Sequence, residues 1–225
     1  GYAPMFAALG GLGHLTGYPD GPPVELRHGM DHTGGMLGAF AAVAALCAKR
    51  GSHLGQHVDV SLRDMGSSFI GPALLDYAMN GREAMRQGNR DPDAWGAPQG
   101  VYRCRGEDAW VSISVASEEE WRGLAHAMGD PDWARGDEFG DAFRRWKHHD
   151  ELDGLISKWT AKHTPTEVTE KLQSRRVPSF PSLSPSQLRA DPHLEAREAF
   201  PTITHAEKGE MRAVVPPWRF SNASA

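Results

Sequence analysis

Residues 31–62 read DHTGGMLGAFAAVAALCAKRGSHLGQHVDVSL, and the change of period inside this stretch sets the fold class. Met36, Phe40, Val43 and Leu46-Cys47 recur at helical spacing, and Lys49-Arg50 before Gly51 is a stop signal. A helix is therefore expected from about Asp31–Thr33 to Arg50. Its alanines and glycines call for close packing against another backbone surface. Gln56–Leu62 then alternates, with His57, Asp59 and Ser61 on one face and Val58, Val60 and Leu62 on the other, which is the pattern of a strand. A second helix is expected over Arg63–Met79, kinked at Gly71-Pro72. Helix, strand and helix in that order point to part of an α/β layer structure.

Upstream, residues 1–16 mix small, apolar and glycine residues, and Tyr18-Pro19-Asp20-Gly21-Pro22-Pro23 is dense turn signal. Residues 24–30 read as a short connector. Downstream, Gly81, Gly88, Gly96, Pro98 and Gly100 mark a long irregular loop, a kind of segment that often carries function. A strand pair is expected at Gly100–Cys104 and Ala109–Val115, then helices at Glu118–Met128, 148–162 and 165–175. Residues 186–200 read as a polar helix and Met211–Val215 as strand-like. The expected organisation is a large-domain part at 1–85, a linker and active-site loop at 86–100, a small α+β domain at 101–185, and a return segment at 186–225 packing on the large domain.

Net charge is −5 over 225 residues, so no basic surplus exists to neutralise phosphates and no nucleic-acid partner is expected. No apolar run reaches the roughly 18 residues of a membrane span, so no membrane partner is expected either. Two cysteines, Cys47 and Cys104, are too few for a disulfide framework; both read as reduced, packed thiols of a cytoplasmic protein. The chain opens Gly1-Tyr2-Ala3-Pro4 without an initiator Met and is expected to be a piece of something longer.

Chemistry concentrates at His28-Gly29-Met30-Asp31-His32-Thr33-Gly34-Gly35, where a turn delivers a carboxylate to a helix start. Asp31 or Thr33 could simply cap the helix. His-x-x-Asp-His also echoes a metal-binding run, but that pattern must lie within a helix; with the helix expected only after Gly29, no metal site is expected. His148-His149-Asp150 reads as a solvated face. No Gly-x-Ser-x-Gly, Rossmann glycine fingerprint or P-loop occurs, and Gly10-Gly11-Leu12-Gly13 is a lone glycine cluster.

Taken in order, these pieces resemble the class III coenzyme A transferases (CaiB/BaiF type), the family of formyl-CoA, carnitine and bile-acid CoA-transferases. The matching residues begin with Gly1-Tyr2-Ala3-Pro4-Met5, Leu9-Gly10-Gly11-Leu12 and Thr16-Gly17-Tyr18-Pro19-Asp20-Gly21-Pro22-Pro23. Asp31-His32-Thr33-Gly34-Gly35 and Gly55-Gln56-His57-Val58-Asp59-Val60-Ser61-Leu62-Arg63-Asp64 follow. Gly88-Asn89, Gly100-Val101-Tyr102, Val177-Pro178 and Ala190-Asp191-Pro192-His193-Leu194 complete the series.

The resemblance implies an α/β fold: an incomplete Rossmann-like large domain plus a small α+β domain, in an interlocked homodimer. It places the nucleophile at Asp31. A carboxylate is ionised at neutral pH and needs no partner base to attack a thioester, and the helix start favours the anion. Amides near Gly34 and Gly35 are expected to hold an oxyanion. The implied reaction moves CoA from an acyl-CoA donor to a carboxylic acid acceptor through aspartyl anhydride and aspartyl-CoA intermediates, with the CoA thioester as substrate and no resident cofactor. Tyr2, His32, Gly34, Gly35, Leu62, Trp95 and Gly96 are the implied substrate and CoA contacts, with Trp95-Gly96 in a lid; His28 and His32 flank the nucleophile. Alternatives are an acyl-CoA racemase of the same fold, whose His is replaced here by Tyr2, and a non-catalytic truncated remnant. Tyrosine, with an ordinary pKa of about 10, is a poor proton carrier at neutral pH.

Overall fold

The computed structural model describes residues 1–26, 29–90 and 96–222, and the chain divides into two compact units, Gly1–Trp95 and Gly96–Ala225.

In the first unit, helix α1 (Ala3–Leu9) starts at Tyr2 in extended conformation with Pro4 in its first turn, where a missing N–H costs nothing. Gly11, at φ 85°, turns the chain into the short α2 (Leu12–Leu15). The turn after it is tied by Val24 N–H to Thr16 C=O at 2.8 Å. Helix α3 runs Gly29–Ser52, two residues beyond each expected end. Helices α4 (Leu62–Phe69) and α5 (Gly71–Asn80) are the expected second helix, broken at Ile70 beside Gly71-Pro72.

The expected strand at Gln56–Leu62 is not formed. The segment is extended, but among the described residues no backbone amide from Gly55 to Val60 bonds another backbone group. Alternation marks which side chains share a face; a strand also needs a neighbour to complete its ladder. Leu62 has left the segment and begins α4, whose first turn is held by Ser61 Oγ accepting from Asp64 N–H at 3.2 Å.

Ala3, Ala7, Met30 and Met65 form the buried cluster where α1, α3 and α4 meet, with Phe6, Leu12 and Leu62 against it. The approach of α1 to α4 is backbone on backbone: a Cβ on Gly10 would lie 2.8 Å from the Cα of Gly66. Of the 24 residues of α3, only Met30 and Gly34 are buried. Met36, Phe40 and Val43 stand exposed, Phe40 by 72%. Cys47 is exposed on the same helix, correcting the expectation of a packed thiol, whereas Cys104 is buried as expected. The small residues of α3 expected to be packed are mostly open: Gly38 and Ala42 line a groove of about 680 Å³ shared with Val58 and Val60.

The second unit holds a three-stranded antiparallel sheet, β1 (Gln99–Arg103), β2 (Trp110–Ser114) and β3 (Ser179–Pro181), in the order β1-β2-β3. Val101 pairs with Ser112 across β1–β2. Helices α6 (Glu118–Ala127), α7 (Ala142–Lys147), α8 (His149–Thr160) and α9 (Pro165–Gln173) accompany it. Val111 and Ile113 alternate inward from β2 onto Leu124, Leu152, Ile156 and Leu172; each such burial is worth about 1.5–3 kcal/mol. The buried Arg145 guanidinium pairs with Glu118 and lies 4.7 Å from the Trp121 ring centroid. Such a charge is kept inside because it is paired and hydrogen-bonded. The polar helix expected over 186–200 is two short ones, α10 (Pro185–Arg189) and α11 (Pro192–Ala196), because Pro192 cannot donate to a continuing helix. Strands β4 (Thr202–His205) and β5 (Gly209–Arg212) form a hairpin.

Candidate active site around Asp31

Asp31 is the third residue of α3 and exposed. A carboxylate in a first turn faces the positive end of the helix, which favours its anion. It lies inside the helix and not at its cap, because the helix already begins at Gly29. Two expectations change as a result. An α-helix leaves only its first four N–H groups unpaired, so the amides of Gly34 and Gly35 belong to the bonded body, and any oxyanion donor on this helix must come from the turn that begins at Gly29. The argument against a metal from lack of helical context also fails, since Asp31 and His32 are both helical. Among the described residues, no group of three or more His, Cys, Asp or Glu is placed to hold a metal ion.

Gly34 and Leu62 come together. Gly34 is buried, and a Cβ there would collide with the Leu62 side chain. Asp31, Gly34 and Gly35 share one face of α3, as residues three and four apart do, with Cβ positions about 5–6 Å apart. Thr33 sits between them with its hydroxyl bonded back to Gly29 C=O at 2.7 Å. Tyr2 is 79% exposed at the start of α1, the helix that buries Ala3 and Ala7 against Met30.

Not all the expected residues join this group. His28 and Trp95 lie outside the described residues. Gly96 belongs to the second unit, where a Cβ would lie 2.8 Å from the Val115 carbonyl oxygen, so a close backbone approach explains that glycine. The glycine pair Gly10 and Gly66, which seats α4 on α1, was missed: Gly10 closes α1, but Gly66 lies inside α4, where nothing in the residue pattern sets it apart. A strap after α5 also ties back to the first turn, with Gly88 N–H donating to Gly17 C=O at 2.8 Å and Asn89 Nδ2 to Tyr18 Oη at 3.2 Å.

The family model for CoA-transferase family III matches residues 1–225. The chain belongs to CoA-transferase family III. A family member from Chloroflexus aurantiacus, succinyl-CoA--D-citramalate CoA-transferase, is 29% identical over 96% of this chain and 54% of its own length. Formyl-CoA:oxalate CoA-transferase of Streptomyces avermitilis is 29% identical over 99% of this chain and 58% of its own. The crystal structure of a CaiB/BaiF family protein from Brucella suis superposes with a TM-score of 0.82 at 26% identity, over 99% of this chain and 57% of that one. The chain spans about half the length of these relatives. The mixed helix-and-sheet architecture is thus a family feature. No helix among the described residues is long and apolar enough to cross a membrane.

Proposed function

We propose that this chain carries the nucleophile of a CoA-transferase and that Asp31 is that nucleophile. The observation that carries the reading is an exposed carboxylate in the first turn of α3, in a chain whose full length matches the family. Asp31 attacks the donor thioester carbonyl, forming an aspartyl–acyl anhydride and releasing CoA thiolate. The thiolate attacks the aspartyl carbonyl, giving an aspartyl-CoA thioester and the free donor acid. The acceptor carboxylate attacks that thioester carbonyl, forming a second anhydride and again releasing thiolate. Thiolate attack on the acceptor's acyl carbon yields the new acyl-CoA and restores Asp31. One thioester replaces another, so the exchange is close to isoenergetic and needs no phosphate-bond hydrolysis.

Several relatives are named for acids with two carboxyl groups, such as succinate, glutarate and oxalate, joined to CoA or accepting it, and one for formyl-CoA as the partner of oxalate. Thioesters of this kind are the first donors to try. Activity is proposed to need polypeptide beyond these residues, completing a Rossmann-like domain and supplying CoA contacts, within an interlocked homodimer. The exposed Met36, Phe40 and Val43 stripe and the unpaired segment at 55–60 support that reading, because both are incomplete as packed structure.

The test is intact mass of the complete enzyme after mixing with a panel of acyl-CoAs and quenching with hydroxylamine. A hydroxamate on Asp31 is expected, and Asp31→Asn should lose turnover by on the order of 10⁴-fold or more with unchanged folding. A competent enzyme that gives no adduct with any donor would overturn the assignment.

A further inference from the structure

Strand β1 is an outer strand of its sheet among the described residues, so alternate residues turn their main-chain groups away from β2. Pro98 and Cys104 face β2: Pro98 C=O accepts from Val115 N–H at 2.9 Å, and Cys104 N–H donates to Ala109 C=O at 2.8 Å. Gln99 and Arg103, one step out of phase, face outward, and α8 meets both. At its start, His149 Nε2 accepts from Gln99 N–H at 3.2 Å; at its end, Thr160 Oγ1 donates to Arg103 C=O at 2.9 Å. Covering an edge in this way keeps it from pairing elsewhere. His149, read from the sequence as part of a solvated face, is 5% exposed.

The two fastenings differ in chemistry. A main-chain N–H can only donate, so Nε2 presents its lone pair and the neutral ring carries its proton on Nδ1. A proton added at Nε2 sets donor against donor. Another acceptor is close by: Asp153 Oδ1 lies 3.6 Å from Nε2 and already accepts from the buried Tyr102 hydroxyl at 2.6 Å. An ionised carboxylate takes several donors at once. Of the neighbouring charges, Asp150 is exposed on α8, His148 Nδ1 lies 3.9 Å from Glu151, and Arg145 of α7 pairs with Glu118.

We infer that His149 is a pH-sensitive clasp on β1: neutral, it holds Gln99; protonated, it releases Gln99 and turns its new N–H to Asp153. Histidine is the side chain suited to such a change near neutral pH. The Thr160 hydroxyl does not titrate there, so the far end of β1 stays fastened. Release is confined to the segment at 96–99, where the second unit begins and where the loop expected to serve the active site ends. The clasp stands whether or not Asp31 is the nucleophile.

The experiment is NMR on the complete enzyme over about pH 5–8, with histidine rings and the Gln99 and Cys104 amides labelled. Hydrogen exchange at the amides is corrected for the intrinsic effect of pH. One midpoint should describe both the His149 ring and Gln99, whose protection should fall by roughly tenfold or more on the acid side. Cys104 should not change. His149→Gln supplies a carbonyl oxygen that takes up no proton in this range, so Gln99 should stay protected throughout, whereas His149→Phe should leave it unprotected throughout. Flat Gln99 protection while the His149 ring titrates overturns the inference, as do two different midpoints or a ring that never titrates in the folded enzyme. Wild-type pH dependence persisting in His149→Gln does the same. Should a variant fail to fold, the two wild-type midpoints decide alone.

Discussion

Among the described residues, the second unit buries fifteen hydrophobic side chains in one cluster running from Ala97 to Val177, whereas the cluster in the first unit has four, Ala3, Ala7, Met30 and Met65. The larger cluster joins a sheet to three α-helices, α6, α8 and α9, and two of those helices, α6 and α9, open with capping boxes at Ser117 and Thr164. Local signals and burial agree there, which is the condition for a unit that folds by itself. The first unit has good helices with little beneath them. The residues proposed to do chemistry belong to the poorly filled unit.

The sharpest way to break this contrast is Leu152→Ala. Leu152 is fully buried in the second unit, and truncation should cost about 2–5 kcal/mol. Urea unfolding followed by tryptophan fluorescence reads it, since six of the seven tryptophans, all but Trp95, belong to residues 96–225. A loss well below that range would mean this core is less unified than its packing indicates.

A smaller effect comes from Gly10→Ala. Gly10 has ordinary right-handed backbone, φ −81°, so the change is one of space alone: its new methyl meets the Gly66 backbone. Prising α1 from α4 should cost about 1–3 kcal/mol, seen as faster hydrogen exchange in those two helices. Val111 and Ile113 amides should keep their protection; losing it would show that the two units do not unfold independently.

The smallest change sharpens the contrast inside the second unit. Burial, and next the nearby Lys171 ammonium, push the His163 imidazole below its ordinary value. A folded-state value below the unfolded one means the unfolded chain takes up the proton first. The stability involved is full above about pH 6.5, the ordinary imidazole value, and is lost as pH falls below it. Lys171→Met should move the His163 midpoint up part of the way, as read by NMR titration of the ring. A midpoint that stays put would remove Lys171 from the causes and leave burial with the more weakly acting Arg105 and Lys162.

Much of the second unit was legible in the sequence. Alternation at Gly100–Cys104 and Ala109–Val115 gave β1 and β2 nearly to the residue, because both strands find partners nearby in the chain. β3, three residues long, carried too little pattern to stand out. In the first unit the same alternation at Gln56–Leu62 misled, since no partner strand lies among the described residues. Asp31 was found at the head of its helix, but the boundary was set two residues late because Gly29 looked like a breaker. That shift moved the free amides away from Gly34 and Gly35. The contact of Leu62 with Gly34 could not be foreseen from period alone: it depends on α4 crossing α3, and the crossing depends on Gly10 and Gly66 letting backbones touch.

The Met36, Phe40 and Val43 stripe has a consequence for how the protein comes into being. A ribosome extends a chain at about 5–20 residues per second, so α3 emerges on the order of ten seconds before residue 225 is added. Until the polypeptide proposed above to complete this unit is in place, Phe40 and its neighbours present an oily helix face to a crowded cell. Such a nascent chain is a natural client for chaperones that bind exposed apolar segments, and its yield in a host should track chaperone supply more closely than the solidity of its better-packed half would lead one to expect.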